Sequence, residues 1–298
     1  MRSLLFIPGD SPKKLEKGIG SGADALLLDL EDSIAPERKT EARATTVAFL
    51  KEARSAKNRP RLYVRINGLA TGLTDDDLNA VVAGRPDGIM FPKAEGGAAV
   101  THCDAKITAR EAVHGLPDGV LDIIAIATET AQAIFLAGTY GGSSKRLKGL
   151  TWGTEDLSVE LGAEANRDRD GNFLDPYRLA RSLCLAGAAA AQVQALDTVY
   201  VDFRNEAGFR RECEEARRDG FTGKMLIHPA QVAVCNEVFT PSADTIKKAE
   251  AVIAAFAAHP GTGTVGIGGM MFDRPHLERA KQLLARSKAI HGAVQGDK

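Results

Sequence analysis

Short apolar runs alternate along the chain with longer stretches of mixed polarity at helical spacing. Ser3–Ile7, Ala25–Leu30, Leu62–Ile66, Gly88–Phe91, Leu121–Ala127, Leu147–Trp152, Thr198–Val201 and Lys224–Ile227 read as strands. Nearly continuous apolar runs of this length are what parallel strands buried on both faces look like. Helices are expected at Pro12–Gly20, Pro36–Arg54, Asp75–Val82, Ala98–Val113, Ala131–Ala137, Pro176–Ala195, Glu206–Asp219 and Pro229–Val238. Ser11 is placed to cap the first of these, with Pro12 at its first position. Eight strand–helix units within about 240 residues have the number and size of a TIM (β/α)8 barrel. A doubly wound open sheet is the competing arrangement.

The pattern changes after Phe239. A helix from Pro241-Ser242 to about Ala258 is followed by the glycine-rich run Gly261–Gly269, then Met270–Pro275, then a helix near His276–Ile290. The chain therefore divides into a barrel over 1–240 and a helical extension over 241–298. The glycines and prolines between the two helices predict a hinge, and the extension is expected to serve as a lid or as an arm on a neighbouring subunit. A loose tail is expected from about Gly292.

Composition narrows the possible functions. The 298 residues carry 38 Lys and Arg against 39 Asp and Glu, a net charge of −1. That balance gives no support to nucleic-acid binding. No apolar stretch approaches the roughly 20 residues that span a bilayer, and the N-terminus lacks the apolar core and cleavage site of a signal peptide. Cys103, Cys184, Cys213 and Cys235 are scattered, without a Cys-x-x-Cys pair. They read as buried free thiols in a reducing cytoplasm.

In a TIM barrel the chemistry sits at the C-terminal ends of the strands. That rim carries Asp10, then Asp29, Glu31 and Asp32, then Arg65 and Asn67, Lys93 and Glu95, Glu129, Glu155 and Asp156, Asp202 and His228. Glu129 and Asp156 follow neighbouring strands, and two carboxylates completed by waters and a chelating substrate suit Mg²⁺. Read singly, each is equally a helix N-terminal acid. Arg65 has the geometry to grip a carboxylate, or to form a strand-end salt bridge. The acids at 29, 31 and 32 would orient Arg65 or hold metal-bound waters. Lys13 and Lys17 share one helix face, able to meet phosphates or simply be solvated. His228 is a possible base or a structural histidine. No Gly-x-Ser-x-Gly element points to a hydrolase triad, and Gly266–Gly269 lacks the context of a phosphate loop.

These motifs, taken in order, resemble one family. Arg2-Ser3-Leu4-Leu5-Phe6-Ile7-Pro8-Gly9, Leu28-Asp29-Leu30-Glu31-Asp32-Ser33-Ile34-Ala35-Pro36, Val64-Arg65-Ile66-Asn67, Phe91-Pro92-Lys93, Thr128-Glu129-Thr130, Gly153-Thr154-Glu155-Asp156-Leu157, Ile227-His228-Pro229-Ala230-Gln231 and Met271-Phe272-Asp273-Arg274-Pro275 are similar to elements of the citrate lyase β-subunit-like and malyl-CoA lyase proteins of the HpcH/HpaI aldolase–citrate lyase superfamily. The resemblance runs from Arg2 to about Ala280.

It implies a TIM barrel that makes or breaks a carbon–carbon bond of an acyl-CoA thioester with Mg²⁺. By position, Glu129 and Asp156 match the metal ligands, Arg65 the arginine that holds the substrate carboxylate, and Lys13 and Lys17 the basic residues that bind CoA. Asp273 matches an acid that acts on the thioester's α-carbon, often across a subunit boundary in a trimer or hexamer. The implied substrates are malyl-CoA, citramalyl-CoA or citryl-CoA, giving an acyl-CoA and glyoxylate, pyruvate or oxaloacetate. No Schiff-base lysine is required, so Lys93 is not expected to be a nucleophile. The alternatives are a thioesterase or malate synthase on the same scaffold, a β subunit acting on an acyl-carrier protein within citrate lyase, and a non-catalytic scaffold.

Overall fold

The computed structural model describes residues 1–56 and 58–295. Eight parallel strands close into a barrel in sequence order: β1 (Ser3–Pro8), β2 (Ala25–Asp29), β3 (Arg61–Arg65), β4 (Gly88–Phe91), β5 (Asp122–Ile126), β6 (Leu147–Thr151), β7 (Gln194–Asp197) and β8 (Gly223–Leu226). Between them run α1 (Pro12–Ile19), α2 (Lys39–Ala53), α3 (Thr74–Val81), α4 (Gly96–Val113), α5 (Ala131–Leu136), α6 (Glu155–Leu161), α7 (Asp175–Ala191) and α8 (Glu206–Asp219), and α9 (Gln231–Phe239) follows β8. This is the TIM barrel, with β1 paired to both β2 and β8.

The strands read as continuous apolar runs because both of their faces are covered. In β2, Ala25 and Leu27 join Leu4, Tyr63, Met90, Ile124, Leu196 and Met225 in one interior cluster. Leu26, equally buried, meets Gly18 of α1 on the other face. The four cysteines are free and buried. Among the described residues, no helix is long and apolar enough to cross a membrane.

Two elements of the barrel differ from the sequence expectation. The seventh strand is Gln194–Asp197 rather than Thr198–Val201, and the helix before it ends at Ala191. Gln192 takes a left-handed conformation (φ 57°, ψ 38°) and its N–H returns to the Ala188 and Ala189 carbonyls, closing the helix. Burial then decides the strand. Leu196 enters the core and Asp197 is fully buried, whereas the β-branched run at 198–201 has high strand propensity but is left beyond the barrel's edge. The sixth unit also carries an additional short helix, α6, ahead of the long α7.

The chain separates into two compact units, Met1–Asn236 and the residues from Glu237 onward. The second contains α10 (Ala243–Ala258), a hairpin of β9 (Thr264–Ile267) and β10 (Met270–Asp273), and α11 (Arg274–Gln295). Val252 and Phe256 of α10, Val265 of the hairpin, and Leu277 and Ala280 of α11 form its own core. The glycine-rich run expected to be an irregular hinge is therefore a paired hairpin. Ile267 faces Met270 across the two-residue turn Gly268-Gly269, whose φ values of 59° and 80° suit a type I′ turn and favour glycine at both positions. The loose tail expected from Gly292 is helical through Gln295, and 296–298 lie outside the described residues.

One buried charge cluster fastens β7 and β8 to the helices around them. Lys224 Nζ, on a side chain with no exposed surface, donates to Asp197 Oδ2 (2.9 Å) and Glu212 Oε1 (2.7 Å). Asp197 Oδ1 also accepts from Trp152 Nε1 (2.7 Å) and Arg181 Nε (3.2 Å). Burial alone would raise the Asp197 pKa, but the Lys224 and Arg181 charges and these hydrogen bonds hold it below the usual carboxylate range. Removing the ammonium leaves buried carboxylates short of a partner. Lys224→Met is expected to lower unfolding free energy by about 3–5 kcal/mol, measured by urea denaturation. A loss below about 1 kcal/mol, the range of exposed pairs, would show that the cluster does not fasten the barrel.

Candidate active site

The mouth of the barrel is organised by a pair of cross-strand partners. Asp29 ends β2, Arg65 ends β3, and parallel register sets them side by side. Arg65 Nε and Nη2 donate to Asp29 Oδ1 and Oδ2, both at 2.7 Å, a two-pronged grip. Asp29 also accepts from the backbone N–H groups of Glu31 (2.9 Å) and Ser33 (3.2 Å), so the same carboxylate shapes the turn after β2. Burial would raise the Asp29 pKa, but the Arg65 charge and these hydrogen bonds hold it low. Burial likewise works against the Arg65 cation, and the surrounding carboxylates more than restore it. The guanidinium also lies over the Phe6 ring, 4.8 Å from its centre.

That turn is braced from behind. Lys39 Nζ from α2 donates to the carbonyls of Leu30 (2.8 Å) and Glu31 (2.7 Å) and to Asn67 Oδ1 (2.9 Å). Asn67 in turn donates from its backbone and side-chain nitrogens to Asp77 Oδ2. Glu31 is thereby brought to Arg65 Nη1 (2.9 Å), with the more exposed Asp32 at 3.3 Å from the same nitrogen. The acids at 29, 31 and 32 do orient Arg65.

Lys93 joins the two halves of the mouth. It stands two residues past β4 in the left-handed region, φ 49°, which costs a non-glycine residue about 1–2 kcal/mol. Its backbone N–H donates to Glu129 Oε2 (2.7 Å), while its Nζ reaches Glu31 Oε1 (2.6 Å) and Asp156 Oδ2 (3.2 Å). Glu129, buried just past β5, packs against Gly153, where a Cβ would come within 2.9 Å of Glu129 Cγ. A glycine is needed there for close approach. Sequence reading set Lys93 on the strand-end rim and did not expect a nucleophile there, but it missed this bridging role, which depends on the left-handed φ and on partners distant along the chain.

The charges do not balance. Asp29, Glu31, Asp32, Glu129 and Asp156 converge on Arg65 and Lys93. Burial, reinforced by the neighbouring Glu31 and Asp156 charges, pushes Glu129 up to about 8. Burial, with Asp32 adding to it, pushes Glu31 up to about 7 despite Arg65 and Lys93. A surplus of buried carboxylate oxygen is the donor set that a hard divalent cation takes. No group of three or more His, Cys, Asp or Glu side chains is preformed for a metal among the described residues. Glu129 and Asp156 would therefore supply only part of a shell.

The remaining sequence candidates have other partners, or none, among the described residues. Lys13 and Lys17 are exposed on α1. Glu155 turns to Thr154 and Asn166 (3.2 and 3.1 Å). His228 stacks on Phe203 with ring centres 4.4 Å apart, and its Nδ1 accepts from Ala230 N (3.2 Å), a structural role. Asp273, in the second unit, has Oδ1 2.5 Å from His276 Nδ1, and this hydrogen bond holds its carboxyl below the usual range.

Known proteins match this chain over nearly its whole length. It is 38% identical over 292 residues to a (3S)-malyl-CoA thioesterase of Cereibacter sphaeroides, covering 97% of this chain and 95% of the relative. It is 32% identical over 305 residues to the mitochondrial citramalyl-CoA lyase of Rattus norvegicus, covering 97% and 86%. Its fold matches a crystal structure of protein CitE from Mycobacterium tuberculosis in complex with magnesium, acetoacetate and coenzyme A, with TM-score 0.77, 31% identity, and 96% and 97% of the two chains covered. The family described as HpcH/HpaI aldolase/citrate lyase matches residues 2–229, and the chain belongs to that family.

Proposed function

We propose that the protein is a Mg²⁺-dependent carbon–carbon lyase. It would cleave, or form, a 3-hydroxyacyl-CoA thioester such as malyl-CoA, citramalyl-CoA or citryl-CoA, giving an acyl-CoA and a 2-oxo acid (glyoxylate, pyruvate or oxaloacetate). The observation that carries this reading is the mouth itself, where a carboxylate-gripping arginine and a surplus of carboxylates lie on adjoining strand ends. The magnesium, coenzyme A and keto-acid ligand in the CitE complex support it.

Glu129 and Asp156 would hold the ion. When bound, Mg²⁺ supplies Lewis-acid polarisation of the 2-oxo acid's carbonyl. Two of the Arg65 nitrogens are committed to Asp29, so the substrate carboxylate would meet Nη1, displacing Asp32, whose side chain is 55% exposed. Lys13 and Lys17 would meet the CoA phosphates. In cleavage a base takes the 3-hydroxyl proton, that oxygen becomes the carbonyl of the 2-oxo acid as the C2–C3 bond breaks, the bond's electron pair passes to the thioester's α-carbon, and Asp273 delivers a proton there. In condensation the same carboxylate removes that proton. The second unit would serve as the lid or inter-subunit arm that carries Asp273, in a homo-oligomer, trimer or hexamer.

A second reading is favoured by the 38% identity to a malyl-CoA thioesterase. Incubation with Mg²⁺ and malyl-CoA, β-methylmalyl-CoA, citramalyl-CoA or citryl-CoA, with products identified by mass spectrometry, separates the two. A keto acid and a shorter acyl-CoA are expected. Free CoA with the intact hydroxy acid would make the protein a thioesterase, and no turnover of any ester would refute both readings.

Glu129→Gln is expected to lower Mg²⁺-dependent turnover by at least about a hundredfold, and a near-normal rate would remove Glu129 from the metal site. The same variant tests the electrostatics. Glu129 holds its proton to about pH 8 in the folded state and releases it near the ordinary value of about 4.3 when unfolded. Folding therefore binds protons in that window, and stability in EDTA should fall as pH rises through it. Glu129→Gln should flatten the slope of urea midpoints across these pH values. An equally steep slope in the variant would locate the titration elsewhere. Asp273→Ala should stop the carbon–carbon step while substrate still binds, read by calorimetry beside the product assay. Loss of binding instead would show that Asp273 holds substrate.

A further inference from the structure

A cavity of about 440 Å³ lies among the N-terminal ends of β3, β4 and β5. Arg61 opens β3 and Arg65 closes it, so four residue steps along the strand, about 13 Å at the usual rise, separate this cavity from the mouth. Four arginines line it: Arg54, Arg59, Arg61 and Arg85. Two are neutralised within the lining. Arg59 Nη1 and Nη2 take both oxygens of Asp87 (2.5 and 3.1 Å), and Arg61 Nη1 takes Asp122 Oδ2 (3.1 Å). Asp87 Oδ2 also accepts the Leu62 N–H at 2.7 Å, so its charge is already engaged. Arg54 and Arg85 make no side-chain hydrogen bond or ion pair among the described residues. The lining therefore carries two unneutralised guanidiniums. Leu116, Pro117 and Val120 give it an apolar wall, with Val120 50% exposed.

Arg85 is held at the rim by the backbone: it caps the helical turn Val82–Gly84 in the left-handed region, φ 53° and ψ 61°, with its N–H on the Val82 carbonyl, and its side chain is exposed. A volume within the range of small-ligand pockets, two free guanidiniums and one apolar wall match a dianion attached to an apolar body.

We propose that this cavity binds a phosphomonoester with an apolar or planar body, at a site separate from the barrel mouth. Arg54 and Arg85 grip the phosphoryl group and the Leu116–Val120 wall covers the body. The test is calorimetric titration of the full chain at about pH 8, where the phosphoryl group is dianionic, with phenyl phosphate, inorganic phosphate and benzyl alcohol. Phenyl phosphate is expected to bind at one site, about tenfold more tightly than inorganic phosphate because the ring is buried as well. Benzyl alcohol is expected to give no binding. Arg85→Gly relieves the backbone strain, so it keeps the fold while removing the cation. It should weaken phenyl phosphate binding by at least about fivefold, as should Arg54→Gln, and saturating dephospho-coenzyme A, which carries no phosphomonoester, should leave the binding unchanged. The proposal is overturned if phenyl phosphate does not bind, if it binds no better than inorganic phosphate, if both variants bind it normally, or if dephospho-coenzyme A displaces it.

Discussion

The contact between Asp29 and Arg65 sets the terms for the rest of the barrel mouth. Two strands in parallel register end on opposite charges, and each charge is buried deeply enough to need the other. Because Asp29 also takes the N–H groups of Glu31 and Ser33, the turn after β2 must follow the position of the arginine. Glu31 is then delivered against Arg65 and Lys93 together. Lys93 passes the constraint on, through its backbone to Glu129 and through its ammonium to Asp156. One ion pair thus fixes the relative placement of groups from five successive strand ends, which no local sequence preference could do.

Two of the buried charge clusters, the one around Lys224 and the one at the mouth, differ in an informative way. Around Lys224, each carboxylate oxygen named above meets a cationic or N–H donor, and Asp197 stays ionised. At the mouth, carboxylates outnumber cations, and Glu31 and Glu129 are driven toward their protonated forms. A satisfied cluster needs nothing more and serves the fold. An unsatisfied one is costly in isolation and becomes favourable when a cation and a substrate complete it. The left-handed Lys93 belongs to the same pattern, since backbone strain and charge imbalance meet at one residue.

Most of the architecture was legible in the strand runs, because a strand covered on both faces leaves little room for polar residues. The exception at β7 is instructive. Thr198–Val201 has the better strand composition, yet Gln194–Asp197 pairs, because Leu196 fills the core and Asp197 meets Lys224. Both reasons lie far along the chain and leave no local trace. The hairpin over 264–273 was hidden for a related reason. Its strands are short, flanked by glycines and half exposed, and they acquire their apolar partners only from α10 and α11. Within the site, Arg65, Glu129 and Asp156 could be placed from strand ends. Lys93 as a bridge could not, because the bridge depends on a φ of 49° and on partners after β2, β5 and β6.

The Asp273–His276 contact bears on the direction of the proposed chemistry. A group that must donate a proton to carbon at neutral pH works best with a raised pKa, and one that must accept a proton needs to be ionised when the substrate arrives. The hydrogen bond from His276 holds Asp273 on the ionised side. An ionised carboxylate is already competent to take a proton from an acyl-CoA α-carbon. His276, three residues on and in contact through Nδ1, fixes the position of the carboxylate as well as its charge, so the turn presents a held, ionised Asp273 for the role proposed above.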